Sequence, residues 1–441
     1  MISEFGAFSA GFDLNCSASA LKPATAEKHV RRVVVSTFRE LSIERSNNSM
    51  ILKVLLFTSL LVHSTNLVFA QNLKSEIYTK YINCNLNYFL DNESEDALFN
   101  GLKAIIYGKY DKAEELLLSV IPQVSDSLKA AIYNDLVYIN YAKKNWTKGN
   151  EYVLKGDPNF DPETNPYSYF DKYPDEHLEL RGKSVSVDFI DNFYVHGTIN
   201  DNDTLENIVV DTGAPQTIIS ISLALKYDFE IDSTKAKGTA SGLAIQTSAH
   251  SALMKKLKIG EVTFFNVPVI VIGNEMFRTL GLKGELILGI PEMMMFDIVK
   301  FDYPNKKFTM IKKGEKEDSK PNFAILDLKP IISYHIRNET TSGLLDTGSP
   351  YSYLYSERWD ANKEKKIRTV NKSVGGYKFK VNYYKIPISF SGGLKGDFEI
   401  AIHPNRLKGR HKTESLLGID IWENKILTID FKNRIISFKE N

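Results

Sequence analysis

Ile208-Val209-Val210-Asp211-Thr212-Gly213-Ala214 is a short apolar run that ends in an acid, a hydroxyl, a glycine and a small residue. The pattern returns 135 residues later, as Gly343-Leu344-Leu345-Asp346-Thr347-Gly348-Ser349. Each run reads as a buried strand that delivers a carboxylate into a tight loop. One such carboxylate says little, but two in matched settings point to a pair. Two carboxylates about 3 Å apart cannot both ionise, so they share a proton and their pKa values move apart. The ionised member can deprotonate a water while the protonated member polarises a carbonyl. That is direct water attack on an amide, with no metal and no covalent intermediate. Gly213 and Gly348 let backbone approach the carboxylates closely, and Thr212 and Thr347 offer hydroxyls that can bond across to the other half.

The surroundings of the two copies also match. Leu286-Ile287-Leu288-Gly289-Ile290 follows the first copy, with Gly289 78 residues after Asp211. Leu416-Leu417-Gly418-Ile419-Asp420 follows the second, with Gly418 72 residues after Asp346. Beyond each lies a hairpin pattern with an Asn-containing turn. These are Phe296–Tyr303 into Lys307–Met310 across Pro304-Asn305, and Ile426–Phe431 into Arg434–Phe438 across Lys432-Asn433. Upstream, Phe193–Ile199 and Ile331–Ile336 agree more loosely. The repeat spans roughly 185–441, and a duplicated lobe is what a dyad on a pseudo-two-fold axis needs.

These motifs resemble the aspartic proteases of the pepsin and retropepsin type, with both halves in one polypeptide. The resemblance implies an all-β bilobal fold, with lobe one at 185–315 and lobe two at 316–441. It implies Asp211 and Asp346 as catalytic residues, supported by Thr212, Gly213, Ala214, Thr347, Gly348 and Ser349. The hydrophobic-hydrophobic-Gly elements would pack under the active-site loops. The substrate would be an extended peptide or protein, with no cofactor and no metal. A mobile hairpin in lobe one would close the cleft, its glycine-rich tip at Gly238, Ser241 and Gly242. A lobe-two equivalent at Gly375 and Gly376 would be the retropepsin arrangement. The alternative for both is an ordinary hairpin turn. Pepsins follow both motifs with Ser or Thr, whose hydroxyl favours the ionised carboxylate. Ser349 is expected to do so and Ala214 cannot, which points to a working range of about pH 4–6.5, less acidic than pepsin's. Asp420 has no counterpart two residues past Gly289, where Pro291 stands, and is read as structural.

The full chain of 441 residues has a formal charge of +1, with 43% hydrophobic and 25% charged residues. That is globular composition with room for two or three domains. It gives no case for nucleic acid or an anionic membrane as partner. Residues 1–49 show no sustained period and read as an over-long start. Met50 to Ala70 carries a lysine, an apolar run and a small residue before Gln71, as a secretory signal peptide does. The alternative is an internal signal anchor. Cleavage would leave Cys84 as the one cysteine of the mature chain, so no intramolecular disulfide is expected. A secreted or periplasmic, bacterial protein off the membrane fits that composition.

Residues 71–156 place apolar side chains at helical spacing: Leu98, Leu102, Ile105 and Ile106, then Ala113, Leu116, Leu117 and Val120, then Leu128, Ala131, Ile132, Leu136 and Ile139. Gly108–Ala113 echoes Lys144–Gly149 at an offset of 36, near the tetratricopeptide period. Either a docking surface for a protein partner or a helical cap on the protease lobes is expected. Residues 157–184, rich in Pro, Asp, Asn and Tyr, read as a linker.

Three readings follow. The first is a secreted or periplasmic aspartic endopeptidase, for which a monomer suffices. The second is a catalytically inactive peptide-binding or scaffold protein of the same fold. The third is a processing enzyme that cuts one partner brought in by the helices, with small-peptide cleavage surviving removal of 71–156. The sequence gives neither cleavage preference nor natural substrate.

Overall fold

The computed structural model describes residues 71–441 apart from 192, 202–203, 233–235, 240–245, 316–319, 356–358, 360–364, 375–376, 404–409 and 441. The expected signal segment and the stretch before it lie outside the described residues.

A helical N-terminal region runs to Lys172. Residues 71–82 are helical, followed by Leu86–Asp91 and by two helix pairs, Ala97–Ile106 with Tyr110–Val120 and Asp126–Ala142 with Trp146–Gly156. The offset of 36 lives in the two inter-helix turns. Gly108 and Lys144 both adopt positive φ (67° and 58°). Lys109 N–H donates to Ala104 O as Asn145 N–H donates to Asn140 O, each at 2.8 Å. Side chains start the helices: Asp96 Oδ1 accepts from Phe99 N–H and Asn145 Oδ1 from Lys148 N–H. Most of the predicted apolar positions are buried, while Leu116 and Ala131 are half-buried. Residues 157–184 are ordered rather than a bare linker. Pro166–Lys172 is a 3₁₀ helix. Its Tyr167 stacks on Tyr141 at 5.1 Å, and its Phe170 meets Trp146 edge-on at 4.9 Å. The turn-forming residues hid two aromatic anchors.

The β region opens with β1 (His177–Leu180) and β2 (Ser184–Asp188). Lobe one continues through β3 (Tyr194–Ile199), β4 (Thr204–Val210), β5 (Ile218–Ser220), β6 (Ala236–Thr239), β7 (Gln246–Ile259), β8 (Val262–Ile272), β9 (Leu286–Leu288), β10 (Ile298–Asp302) and β11 (Lys307–Ile311). Lobe two contains β12 (Phe323–Leu326), β13 (Lys329–Ile336), β14 (Glu339–Leu345), β15 (Tyr353–Tyr355), β16 (Lys366–Val374), β17 (Tyr377–Phe390), β18 (Lys395–His403), β19 (Ser415–Leu417), β20 (Ile426–Asp430) and β21 (Ile435–Lys439).

Each lobe closes on itself. In lobe one the order β8-β5-β9-β4-β3-β7 is sealed by β7–β8 pairing; in lobe two β13-β14-β19-β15-β18-β17 is sealed by β13–β17. The strands correspond one to one. β4 runs parallel to β9 as β14 does to β19, and β5 parallel to β8 as β15 does to β18. A third sheet, β2-β11-β10-β20-β21, crosses the lobe boundary where β10 pairs antiparallel with β20, Val299 opposite Ile429. The Asn turns of both hairpins are held alike: Asn305 N–H donates to Asp302 Oδ1 and Asn433 N–H to Asp430 Oδ1.

The helices pack on the lobes, and one core cluster runs through buried side chains of all three parts. Arg410 of lobe two bridges Asp135 of the helices and Asp327 of its own lobe, both at 2.6 Å. Ser251 Oγ of β7 donates to Pro166 O at 2.7 Å, and Tyr173 OH donates to Asp232 Oδ2 at 2.6 Å.

Candidate active site

Asp211 and Asp346 each follow a strand whose final residues are buried on both faces, which is why their approach runs read as continuous apolar stretches. Asp211 N–H donates to Leu288 O at 3.1 Å and Asp346 N–H to Leu417 O at 2.9 Å, so each acid is pinned by the last residue of the strand that precedes Gly289 or Gly418. The chain then turns on the acid itself. Gly213 N–H donates to Asp211 Oδ1 at 2.7 Å and Gly348 N–H to Asp346 Oδ1 at 3.0 Å.

The threonines lock the two loops together. Thr212 N–H donates to Thr347 Oγ1 and Thr347 N–H to Thr212 Oγ1, both at 3.0 Å, across 135 residues of sequence. Their hydroxyls donate onward to Leu345 O (2.8 Å) and Val210 O (2.9 Å). The glycines show how close the halves come. A Cβ on Gly213 would stand 2.4 Å from Asp346 Oδ2, and one on Gly348 2.4 Å from Asp211 Cγ. Each glycine therefore lies against the other lobe's carboxylate, where no side chain fits.

Both carboxyls are fully buried, and Oδ2 of each has no hydrogen-bond donor among the described protein groups. Burial lifts both acids. Asp211 rises to about 7 despite the N–H groups of its loop. Asp346 is pushed well above the carboxylate range, by burial first and then by the charge of Asp211 within hydrogen-bonding reach. The pair is thus poised to share one proton, and the two values belong to the pair.

Two sequence expectations change here. Ser349 does not hydrogen-bond the Asp346 carboxylate; its hydroxyl donates to Tyr351 O at 2.8 Å. Neither loop hydroxyl therefore favours the charged form, Ala214 having none. Asp420 does have a counterpart in lobe one, one position later than expected. Ser352 Oγ donates to Asp420 Oδ1 at 2.5 Å as Thr217 Oγ1 donates to Glu292 Oε2. Ser352 and Thr217 each stand six residues beyond their loop aspartate, the signal that could have exposed the match. Of the hairpin-tip residues, Gly238 sits on β6 opposite Thr247. Ser241, Gly242, Gly375 and Gly376 lie outside the described residues, between the arms β6–β7 and β16–β17.

A family model described as "Aspartyl protease" matches residues 195–291. That span runs from β3 past the Asp211 loop to the start of the short helix after Gly289, and supports an aspartic protease domain. No curated protein matches the chain.

Proposed function

We propose that the chain is a single-chain aspartic endopeptidase, secreted or periplasmic. The observation that carries this reading is the meeting of Asp211 and Asp346 at the lobe boundary, each against the other loop's glycine. The ionised carboxylate takes a proton from water, and the oxygen attacks the amide carbon. The protonated partner passes its proton to the carbonyl oxygen, giving a neutral tetrahedral diol. The dyad then passes its remaining proton to the amide nitrogen while a diol hydroxyl returns one to the dyad, the C–N bond breaks, and the dyad again holds a single proton. The cost of desolvating the carboxylates makes the shared proton mobile toward neutral pH. An extended peptide between the β6–β7 and β16–β17 arms could add strand-like hydrogen bonds. One polypeptide supplies both acids, so one copy makes a whole site. The Met50–Ala70 stretch supports export. Peptide-library cleavage by residues 71–441 across pH 3 to 8 tests the reading: cuts are expected in the intact chain and none in Asp211→Asn.

A further inference from the structure

Beneath each loop, a hydroxyl and a carboxylate tie the loop to the strand that pins its aspartate. In lobe two, Ser352 Oγ donates to Asp420 and accepts from Gly418 N–H at 2.8 Å. In lobe one, Thr217 Oγ1 donates to Glu292 and accepts from Gly289 N–H at 3.0 Å. The next residue, Ile290, donates its N–H to Ala214 O at 3.0 Å, which reaches the Asp211 loop itself.

The lobes differ in what stands behind the carboxylate. Glu292 is fully buried, and its Oε1 accepts no hydrogen bond from any described protein group. It interacts with Glu176, from the segment before β1, and with Lys144. Lys144 Nζ pairs with Glu176 Oε2 at 2.6 Å, and the Glu176 side chain is 1% exposed. Tyr167 also lies within electrostatic reach of Glu292, and His177 within reach of Glu176. Lys144 belongs to the turn between two N-terminal helices, at positive φ. Two buried carboxyls against one ammonium leave one negative charge compensated. A second charge would be unpaired in a low-dielectric setting, where it is costly. Burial, with Glu176 beside it, pushes Glu292 up to about 8.

We propose that Lys144 and Glu176 set the charge of Glu292, and that Glu292, through Thr217, is a positioning residue for the Asp211 loop. The helical region is then part of the site's support, not an appendage for docking. This rests on the protease reading above.

The test titrates carboxyl carbons in the full chain labelled with ¹³C-glutamate and ¹³C-aspartate. The signal lost in Glu292→Gln reports Glu292, and those altered in Asp211→Asn report the dyad. Lys144 favours the charged form of Glu292 and Glu176 opposes it. Glu292 is therefore expected to titrate well above the ordinary glutamate range, higher still in Lys144→Met and lower in Glu176→Gln. If Lys144→Met does not fold, Glu176→Gln decides alone. Thr217→Val cuts the link without changing charge. It is expected to shift the dyad titration and to lower kcat about tenfold or more with KM nearly unchanged. Glu292→Gln, a neutral acceptor, should rescue most of the kcat that Glu292→Leu loses. The proposal is overturned if Glu292 titrates in the ordinary range, if the charge variants do not move it as stated, or if Thr217→Val leaves both dyad titration and kcat in place. A chain that cleaves no peptide at any pH sinks the protease reading, and the titrations still decide the link.

Discussion

Thr347→Val is the cleanest perturbation of the lobe junction. Valine keeps the shape of threonine, so no cavity opens. What goes is one hydroxyl that accepts from Thr212 N–H at 3.0 Å and donates to Val210 O at 2.9 Å. Both Thr212 and Thr347 are fully buried, so water cannot replace the lost partner. An orphaned buried N–H costs about 1–3 kcal/mol, and the carbonyl adds a smaller amount, so the expected loss is about 2–4 kcal/mol. Against a typical stability of about 5–15 kcal/mol, that is large. Urea unfolding of Thr347→Val beside the unmutated chain reads it, with an unchanged m-value showing that the unfolded states match. Thr212→Val removes the mirror pair of bonds, to Thr347 N–H and Leu345 O, and should cost the same within about 1 kcal/mol. Stability within about 0.5 kcal/mol of the unmutated chain for both variants would refute the argument that these bonds hold the loops across the lobes.

Other perturbations follow from the same geometry. Gly348→Ala places a Cβ 2.4 Å from Asp211 Cγ; displacement of that carboxyl should lower kcat/KM by about 100-fold, with a melting shift matching about 1–3 kcal/mol. Arg410→Met leaves the buried Asp135 with Tyr78 OH and the half-buried Asp327 with His411 but without their shared guanidinium, and should cost about 3–5 kcal/mol and speed proteolysis within 71–172, read by limited digestion. Asp211 and Glu292 hold protons more tightly folded than unfolded, at about 7 and about 8 against 3.8 and 4.5. Their contribution is therefore most favourable below about pH 4 and is lost as pH rises to about 8. Melting should fall by several kcal/mol equivalent across that window, with a smaller fall in Asp211→Asn. Asp327 runs the other way: Arg410 and His411 outweigh its burial and hold it well below the usual carboxylate range, so its stabilisation fades only in strong acid.

The lobes were legible because their signals are local. A buried strand, an acid and a glycine follow one another within seven residues, and the hairpins repeat with the same Asn turn. The cross-lobe bonds of Thr212 and Thr347 could be anticipated from residue type. Glu292 is hidden from any match at a fixed distance from glycine, because the short helix of lobe one brings its acid round one residue later. Ser349 escaped because a hydroxyl's partner is chosen by loop geometry that composition does not encode. Lys144 and Glu176 carry the general limit: charged side chains are read as solvated, and only tertiary packing shows one pair buried between a helical turn and lobe one. In the segment 157–184, turn-forming residues likewise mask the burial of Tyr167 and Phe170.

The most direct measurement is peptide hydrolysis by the purified chain against pH, beside Asp211→Asn and Asp346→Asn. Proton sharing by a desolvated pair, with no loop hydroxyl on either carboxylate, predicts a bell-shaped profile lying toward neutral rather than at strong acid. Either substitution should abolish cleavage while the protein stays folded. Cleavage that survives in both variants, or a folded chain that cuts nothing at any pH, would contradict the account.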